Sequence, residues 1–272
     1  MAIIAISRGT KSGGMAMAEC LAEELGYPIL GREIAQEAAA DLGVDEEELI
    51  HRWETPPRMW EKFSSATRLY KAAVLSALAD HAVEGNLVYH GLCGQLLLRG
   101  VPAVVRVRLI ASLTTRIEIM RESDDMDEVT AERYLNNVDD ARARWVRMMY
   151  GEDINDPALY DIVLNLDHVH FTVACGMLEN TVRQTEFDLT DDVLDRLKDF
   201  QLECHVRVAL AAEPDTRGYD FDIDATSGIV SVSGSAPALP SGRTGDTIHE
   251  IVQSVHGVKE VNFNINWFDP LP

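Results

Sequence analysis

A short apolar run, Ala2-Ile3-Ile4-Ala5-Ile6, leads into Ser7-Arg8-Gly9-Thr10-Lys11-Ser12-Gly13-Gly14-Met15, and this junction constrains the fold more than any other stretch. The run has the length and composition of a buried strand. From Gly14 to Leu25 the apolar positions Met15, Ala18, Leu21, Ala22 and Leu25 recur at helical spacing. Strand, Gly-rich loop and helix, in that order, bring bare backbone N–H groups and the positive end of a helix dipole to one point, where an anion can be held. An ordinary tight strand-to-helix turn reads the same way. The full phosphate-loop pattern is G-x-x-x-x-G-K-[ST]. Gly9 and Gly14 have its spacing, but Met15 follows where the lysine should stand and Ala16 replaces the Ser/Thr.

What surrounds the loop narrows the options. The chain has 272 residues, enough for one large domain or two, and 46% are apolar, enough for a core. A net charge of -21 repels nucleic-acid backbones and anionic lipid, so neither is an expected partner. Cys20, Cys93, Cys175 and Cys204 are widely spaced with no C-x-x-C pair, which suggests neither a zinc site nor a disulfide framework. The most apolar stretch, around Val101 to Ala111, is cut by Arg106 and Arg108, so no transmembrane segment is expected. The start of the chain shows no secretory signal. The expectation is a soluble cytoplasmic protein.

Along the chain, Tyr27 to Leu30 reads as a short strand. Arg32 to Leu42 reads as a helix with Ile34, Ala38 and Ala39 inward, and Asp45 to Trp53 as a short acidic helix. Thr55-Pro56-Pro57 marks a new start. From Arg58 to Ala82 an amphipathic pattern places Met59, Phe63, Ala66, Leu69, Ala73, Leu75 and Leu78 on one face. Strands at Asn86–His90, Val104–Ala111 and Asp161–Leu166 alternate with helices at about 113–122, 129–150 and 172–185. Strands separated by helices imply an α/β fold, a parallel sheet covered by helices.

Several pieces, taken together, resemble the cytidylate-kinase-like family, a branch of the P-loop nucleoside monophosphate kinases. They are Ile4-Ala5-Ile6-Ser7-Arg8 with Ser12-Gly13-Gly14, Leu25-Gly26-Tyr27-Pro28 with Arg32-Glu33-Ile34, Val88-Tyr89-His90-Gly91, Arg106 to Ala111, Thr115-Arg116-Ile117, Val138 to Arg144, and Tyr160 to Asn165. Their order spans Ile3 to about Phe187. The resemblance implies a P-loop domain over 1–188. It also implies ATP or another nucleotide as ligand, Mg2+ as its companion, and a nucleoside monophosphate as phosphoryl acceptor.

Phosphoryl transfer asks for cations around the transferring group and little covalent help. Arg116, Arg121, Arg133, Arg142, Arg144 and Arg147 crowd the segment where such kinases carry a lid, and a forked guanidinium binds phosphate through two bonds. Pairing with Asp124, Asp125, Asp127, Glu128 and Glu132 on solvated helix faces is the competing reading for each. The candidate catalytic residues are Lys11, Arg116, Arg142 and Arg144. The candidate nucleotide-binding residues are Ser7, Arg8, Gly9, Thr10, Lys11, Ser12, Gly13, Gly14, Arg32, Arg121 and Asp139; no residue is assigned to a metal. Aligned on its helix, the loop puts Gly14 at the usual lysine and Ala16 at the metal-holding hydroxyl. Met15 stands where this branch often has Arg, and Gly91-Leu92 where it has Gly-Arg. Lys11, inside the loop, is the candidate substitute. Glu33 and Asp139 could touch nucleotide or metal-bound water, or be helix-surface charges. His90 and Cys93 flank Gly91 at a strand end, where a nucleophilic pair or ordinary packing are both readable.

The last third differs in pattern. Thr190 to Glu213 reads as a helix, with Val193, Leu194, Leu197, Phe200, Cys204 and Leu210 on one side. Strands follow at Tyr219–Asp224 and Ile229–Ser233 around a Thr226-Ser227-Gly228 turn, then a turn-rich loop, a helix at 246–255 and a strand at 257–265. This α-β-β-α-β order, with Ser227 to Gly234 and Val255 to Val261, resembles a BON domain over 189–272. That resemblance implies a protein partner, self-association or ligand sensing. Two functions stay open: a nucleotide kinase, and a catalytically degenerate kinase fold that binds a nucleotide and reports it through the tail.

Overall fold

The computed structural model describes residues 2–54, 64–91, 93–237 and 244–268. The Thr55-Pro56-Pro57 start, Met59, Phe63, Leu92 and most of the loop after Pro237 lie outside these residues. The chain packs as two compact units: Met1–Glu33 with Ile50–Pro57 and Glu84–Leu189, and Ile34–Leu49 with Arg58–Val83 and Thr190–Pro272.

The first unit carries a five-stranded sheet in the order β2-β3-β1-β4-β5. Its strands are β1 (Ile3–Arg8), β2 (Ile29–Leu30), β3 (Leu87–Tyr89), β4 (Val104–Ile110) and β5 (Ile162–Asn165). Every pairing is parallel; β1 lies between β3, with Ile4 opposite Val88, and β4, with Arg8 opposite Leu109. Because side chains alternate across a strand, the apolar run of β1 is buried on both faces. Ile4 and Ile6 join one core with Met17, Ala18 and Leu21 of α1 (Gly14–Leu25) and Ala174, Cys175 and Leu178 of α8 (Phe171–Val182). The inward face of α1 is Met17, Ala18 and Leu21; Met15, read as inward from its spacing, is 52% exposed in the first turn above the loop.

Cys20 and Cys175 form a disulfide that ties α1 to α8 across 155 residues of sequence. This overturns the reading that the cysteines suggest no disulfide. Spacing alone cannot bring them together; the parallel sheet does, by seating both helices on one face. Cys93 and Cys204 are free and buried.

After β4, α6 (Leu113–Asp124) and α7 (Glu128–Tyr150) pack together around a small core of Met120, Ala131 and Leu135. Ser112 and Asp127 cap their N-termini by accepting from Thr115 N and Thr130 N. A short helix α5 (Gly94–Leu97), which sequence periodicity does not show, follows β3.

The second unit includes most of α2 (Glu33–Leu42) and of α4 (Ser65–Glu84), and the first turn of α3 (Glu46–Glu54), whose remainder belongs to the first unit. α2 buries Ile34, Ala35, Ala38 and Ala39. α4 departs from the single-face reading: Tyr70, Ala72, Ala73, Val74, Ala77, Leu78, Ala79 and Ala82 are buried, while Ala66, Leu69 and Leu75 are only half-buried. A helix covered on more than one side loses the one-stripe pattern.

The tail follows its expected order: α9 (Asp191–Ala212), β6 (Phe221–Thr226), β7 (Ile229–Pro237), α10 (Thr244–Ser254) and β8 (Glu260–Phe268). Thr190 caps α9 by accepting from Val193 N. β6 and β7 are antiparallel, with Ser227 and Gly228 at positive φ in the two-residue turn a tight hairpin needs. β8 then pairs parallel to β7. Its core is Leu202, Val206 and Leu210 of α9 against Ile223, Val230, Val232, Ile248 and Val252.

Candidate functional site

The loop Gly9–Gly13 leaves the C-terminal end of β1, the strand from which the chain departs to β3 on one side and β4 on the other. Open parallel sheets bind ligands at this switch point. Gly13 caps α1 in the left-handed region at φ 76, without a side-chain cap, and no acidic residue stands in the first turn. The first N–H groups of α1 therefore keep the partial positive charge that suits an anion. A Cβ at Gly9 would stand 2.7 Å from Ser12 Oγ, so glycine there lets Ser12 tuck under the loop. Ser12 is buried, and its Oγ has no hydrogen-bond partner.

Arginines gather round this loop. Arg8, at the end of β1, donates from Nε to Nε2 of His90, just beyond β3. Arg108, buried on β4, donates to Ser7 Oγ at 3.0 Å and Asn155 Oδ1 at 3.3 Å and lies over the Tyr160 ring. Tyr160 also accepts from Gln95 Nε2 at 3.3 Å and donates to the Ile154 carbonyl at 2.8 Å. Arg142, on α7, donates to Thr10 Oγ1 at 2.9 Å. Arg116, on α6, donates to the Thr10 carbonyl at 3.3 Å and pairs with Asp139 Oδ2. Asp139 Oδ1 accepts from both the backbone N (3.2 Å) and Oγ1 (2.9 Å) of Thr10. α6 and α7 thus hold the loop through Thr10.

The electrostatics follow from this crowding. Burial, helped by the charge of Arg142, pulls the Arg8 guanidinium down to about 10. Burial also lowers Arg108, against the opposing influence of Tyr160 and Asp139. Burial, with Arg8 and Arg142 adding to it and Glu33 opposing, pushes His90 down to about 4. His90 is therefore a neutral acceptor for Arg8 at neutral pH. Among the described residues Arg8, Arg108 and Arg142 have no carboxylate partner. In a chain of net charge -21 this is a local excess of cations. Buried polar atoms left without a partner here include Arg116 Nε and Gln95 Oε1 as well as Ser12 Oγ.

The residues singled out by sequence are therefore partly gathered. Ser7, Arg8, Gly9, Thr10, Ser12, Gly13, Gly14, Arg116, Asp139 and Arg142 meet at the loop. Lys11 belongs to the loop, at φ 61, but its ammonium turns away to Ser123 Oγ at 3.0 Å and Asp124 Oδ2 at 2.8 Å. Arg121 stands 4.0 Å from Glu128, Arg147 pairs with Asp153, and Arg144, Arg133 and Arg32 are exposed. Glu33 accepts from Gly31 N at 2.8 Å.

Residues 3–168, more than half of the chain, match the model of the cytidylate kinase-like family. The chain belongs to that family. A cytidylate kinase of Pyrobaculum aerophilum is 29% identical over 170 residues, covering 62% of this chain and 86% of that protein. Among solved structures, an uncharacterized protein from Eubacterium ventriosum shares the fold. Its TM-score is 0.53 at 21% identity, over 67% of this chain and 98% of that one. A shikimate kinase from Bacteroides thetaiotaomicron gives a TM-score of 0.42 at 10% identity, over 67% and 99%.

Within this cytidylate kinase-like chain, sequence reasoning missed Arg108 and Tyr160 as site residues. The signal was available: a charged residue inside an otherwise apolar strand costs stability when buried and so needs a reason to be there. His90 was noticed beside Cys93, but its Nε2 is committed to Arg8. Among the described residues no three or more His, Cys, Asp or Glu side chains cluster as a metal would require. Ala16, where the resemblance places the metal-holding hydroxyl, carries no side-chain oxygen. Nor, among the described residues, is any helix long and apolar enough to cross a membrane.

Proposed function

We propose that this protein binds a nucleoside triphosphate by its phosphates at the Gly9–Gly14 loop and transfers the terminal phosphoryl group to a nucleoside monophosphate. The observation that carries this reading is the set of arginines at the loop and the strand end before it, Arg8, Arg108 and Arg142, which have no carboxylate partner among the described residues. Unpaired cations away from water are costly, and a polyphosphate is the anion that would repay several at once. In-line phosphoryl transfer needs what they provide, fixed positive charge around the equatorial oxygens. Backbone N–H groups of the loop bind the donor's phosphates. Arg142 of α7 and Arg116 of α6 add their charge at Thr10, where Asp139 pairs with Arg116 and accepts from Thr10. Lys11, held at Asp124, serves the lid rather than the phosphates in this arrangement. Cytidine monophosphate is the first acceptor to test, given the cytidylate kinase among its relatives. Magnesium, as companion of ATP, would be held by phosphate and water rather than by a protein hydroxyl.

A sensor reading is favoured by one feature: Met15 and Ala16 in place of the cation and hydroxyl expected there. We propose the tail, as a BON-like module over 189–272, as the reporting or self-associating element in that case. A concavity of about 530 Å³ lined by Lys198, Asp199, His205, His256 and Lys259 suits ligand sensing there. A cytoplasmic location fits a nucleotide substrate, although the Cys20–Cys175 bridge is unusual for that compartment.

The deciding experiment incubates the protein with ATP and each nucleoside monophosphate in turn, with Mg2+, and separates the products by ion exchange. The kinase reading expects equal amounts of ADP and one nucleoside diphosphate, with the cytidine acceptor preferred. ATP bound but never consumed, with any acceptor, would leave the sensor.

A further inference from the structure

We infer that Arg8 takes over the role of the missing loop lysine, delivering the phosphate-binding cation from the end of β1 instead of the start of α1. The inference rests on the phosphate-site reading above and adds a residue and a geometric reason to it.

Aligned on the helix, the phosphate-loop pattern places its leading glycine at Arg8 and its lysine at Gly14. Glycine and cation have changed places. Arg8 sits in regular strand register opposite Leu109, so it has no need of a glycine's conformations. Its side chain crosses the loop to the start of α1. A Cβ built on Gly14 would fall on Arg8 Cδ and stand 2.9 Å from both Arg8 Nε and His90 Nε2. Gly14 has an ordinary helical conformation; the room above it, not its φ, is what requires glycine. A lysine at 14 and Arg8 in this pose exclude each other. The absent lysine is thus a consequence of where Arg8 lies, and the two substitutions are one change.

The neighbours of Arg8 suit this role. Nε is fixed by neutral His90, which orients the guanidinium without neutralising it. The other nitrogens have no carboxylate partner among the described residues, and Arg142 nearby adds to the repulsion that an anion would relieve. A planar fork reaching from a strand end can bridge two phosphate oxygens, which an ammonium binds only as a point charge.

The test uses the full chain and two probes, inorganic tripolyphosphate and MgATP, titrated calorimetrically, with thermal unfolding as the check on folding. Arg8→Gln is expected to weaken tripolyphosphate binding about 10- to 100-fold, the range for a lost charge-assisted bond. Arg8→Lys should fall between that variant and wild type. Gly14→Lys alone, crowding Arg8, should bind worse than wild type, whereas the double variant Arg8→Gly with Gly14→Lys should recover most of the affinity. A purely structural role for Arg8 predicts additive losses and no recovery. Should Arg8→Gln bind both probes as wild type does, or Gly14→Lys alone bind more tightly, the inference is overturned while nucleotide binding stands. Wild-type protein that binds neither probe would remove both.

Discussion

Asp139 on α7 accepts from the backbone N and Oγ1 of Thr10 with one oxygen while its other oxygen pairs with Arg116 on α6. One carboxylate thereby fastens the Gly9–Gly13 loop to both α6 and α7. Asp139→Ala removes an acceptor from three donors, one of them a largely buried guanidinium. We expect a loss of about 1–3 kcal/mol from the unpaired groups, together with faster hydrogen exchange at the Thr10 amide. Unchanged exchange there would mean that α6 and α7 hold the loop by other contacts.

His90 gives the site a pH dependence whose sign is fixed by its environment. Burial and the nearby arginines lower it from 6.5 to about 4 in the folded chain. The unfolded chain takes up the proton first, so this group's contribution is fully present above about pH 6.5. It is lost progressively as pH falls towards 4. After allowance for solvent screening the loss is about 2 kcal/mol. His90→Gln keeps an acceptor for Arg8 without a titrating ring. The difference in stability between wild type and this variant should therefore change across that window. Parallel curves for the two proteins would contradict the assignment.

The Cys20–Cys175 bridge closes a loop of 155 residues and joins α1, which begins after the Gly9–Gly13 loop, to α8. In the chain-entropy account, constraining so long a loop stabilises by about 5 kcal/mol. Reduction, or Cys20→Ser, should lower the unfolding midpoint by roughly 10–20 °C and leave a folded protein, since both residues also pack in the apolar core. A midpoint indifferent to reductant would show that the thiols are not joined in solution.

The tail's core is drawn wholly from residues after 190. We therefore propose that a 190–272 fragment melts cooperatively. It should do so at a lower temperature than in the full chain, because α9 also leans on residues outside it. Asp80 of α4 accepts from Gln201 and His205 at 2.6 and 2.7 Å. Cys204 of the same helix is buried beside them. A fragment without a cooperative melt would make α2 and α4 an obligatory part of this unit.

Much of this architecture is legible in the residues. The buried run of β1, the glycines after it, and the alternation of strands with helices are local signals, and local chemistry settles them. What escaped was non-local. Cys20 and Cys175 look unrelated until α1 and α8 lie on one sheet face. Arg108 looks like an interruption of an apolar strand until Ser7, Asn155 and Tyr160 surround it. α4 reads as one-sided because periodicity cannot count how many neighbours cover a helix. Lys11 illustrates the converse: its place in the loop suggested a phosphate contact, but its backbone conformation directs the side chain towards Asp124.

The central claim, an anion seat built on the glycine loop, is tested most directly by titrating ATP into wild-type protein and Gly13→Val and measuring the heat of binding. Gly13 stands at φ 76, and a Cβ there would lie 3.2 Å from Leu166 Cδ1, so a β-branched side chain must distort the loop where it turns into α1. The account predicts saturable ATP binding by wild type that weakens as salt rises. In Gly13→Val, which should keep its secondary structure by circular dichroism, it predicts a loss of at least about tenfold in affinity, the factor that corresponds to 1.4 kcal/mol. Equal affinities in two equally folded proteins would contradict it.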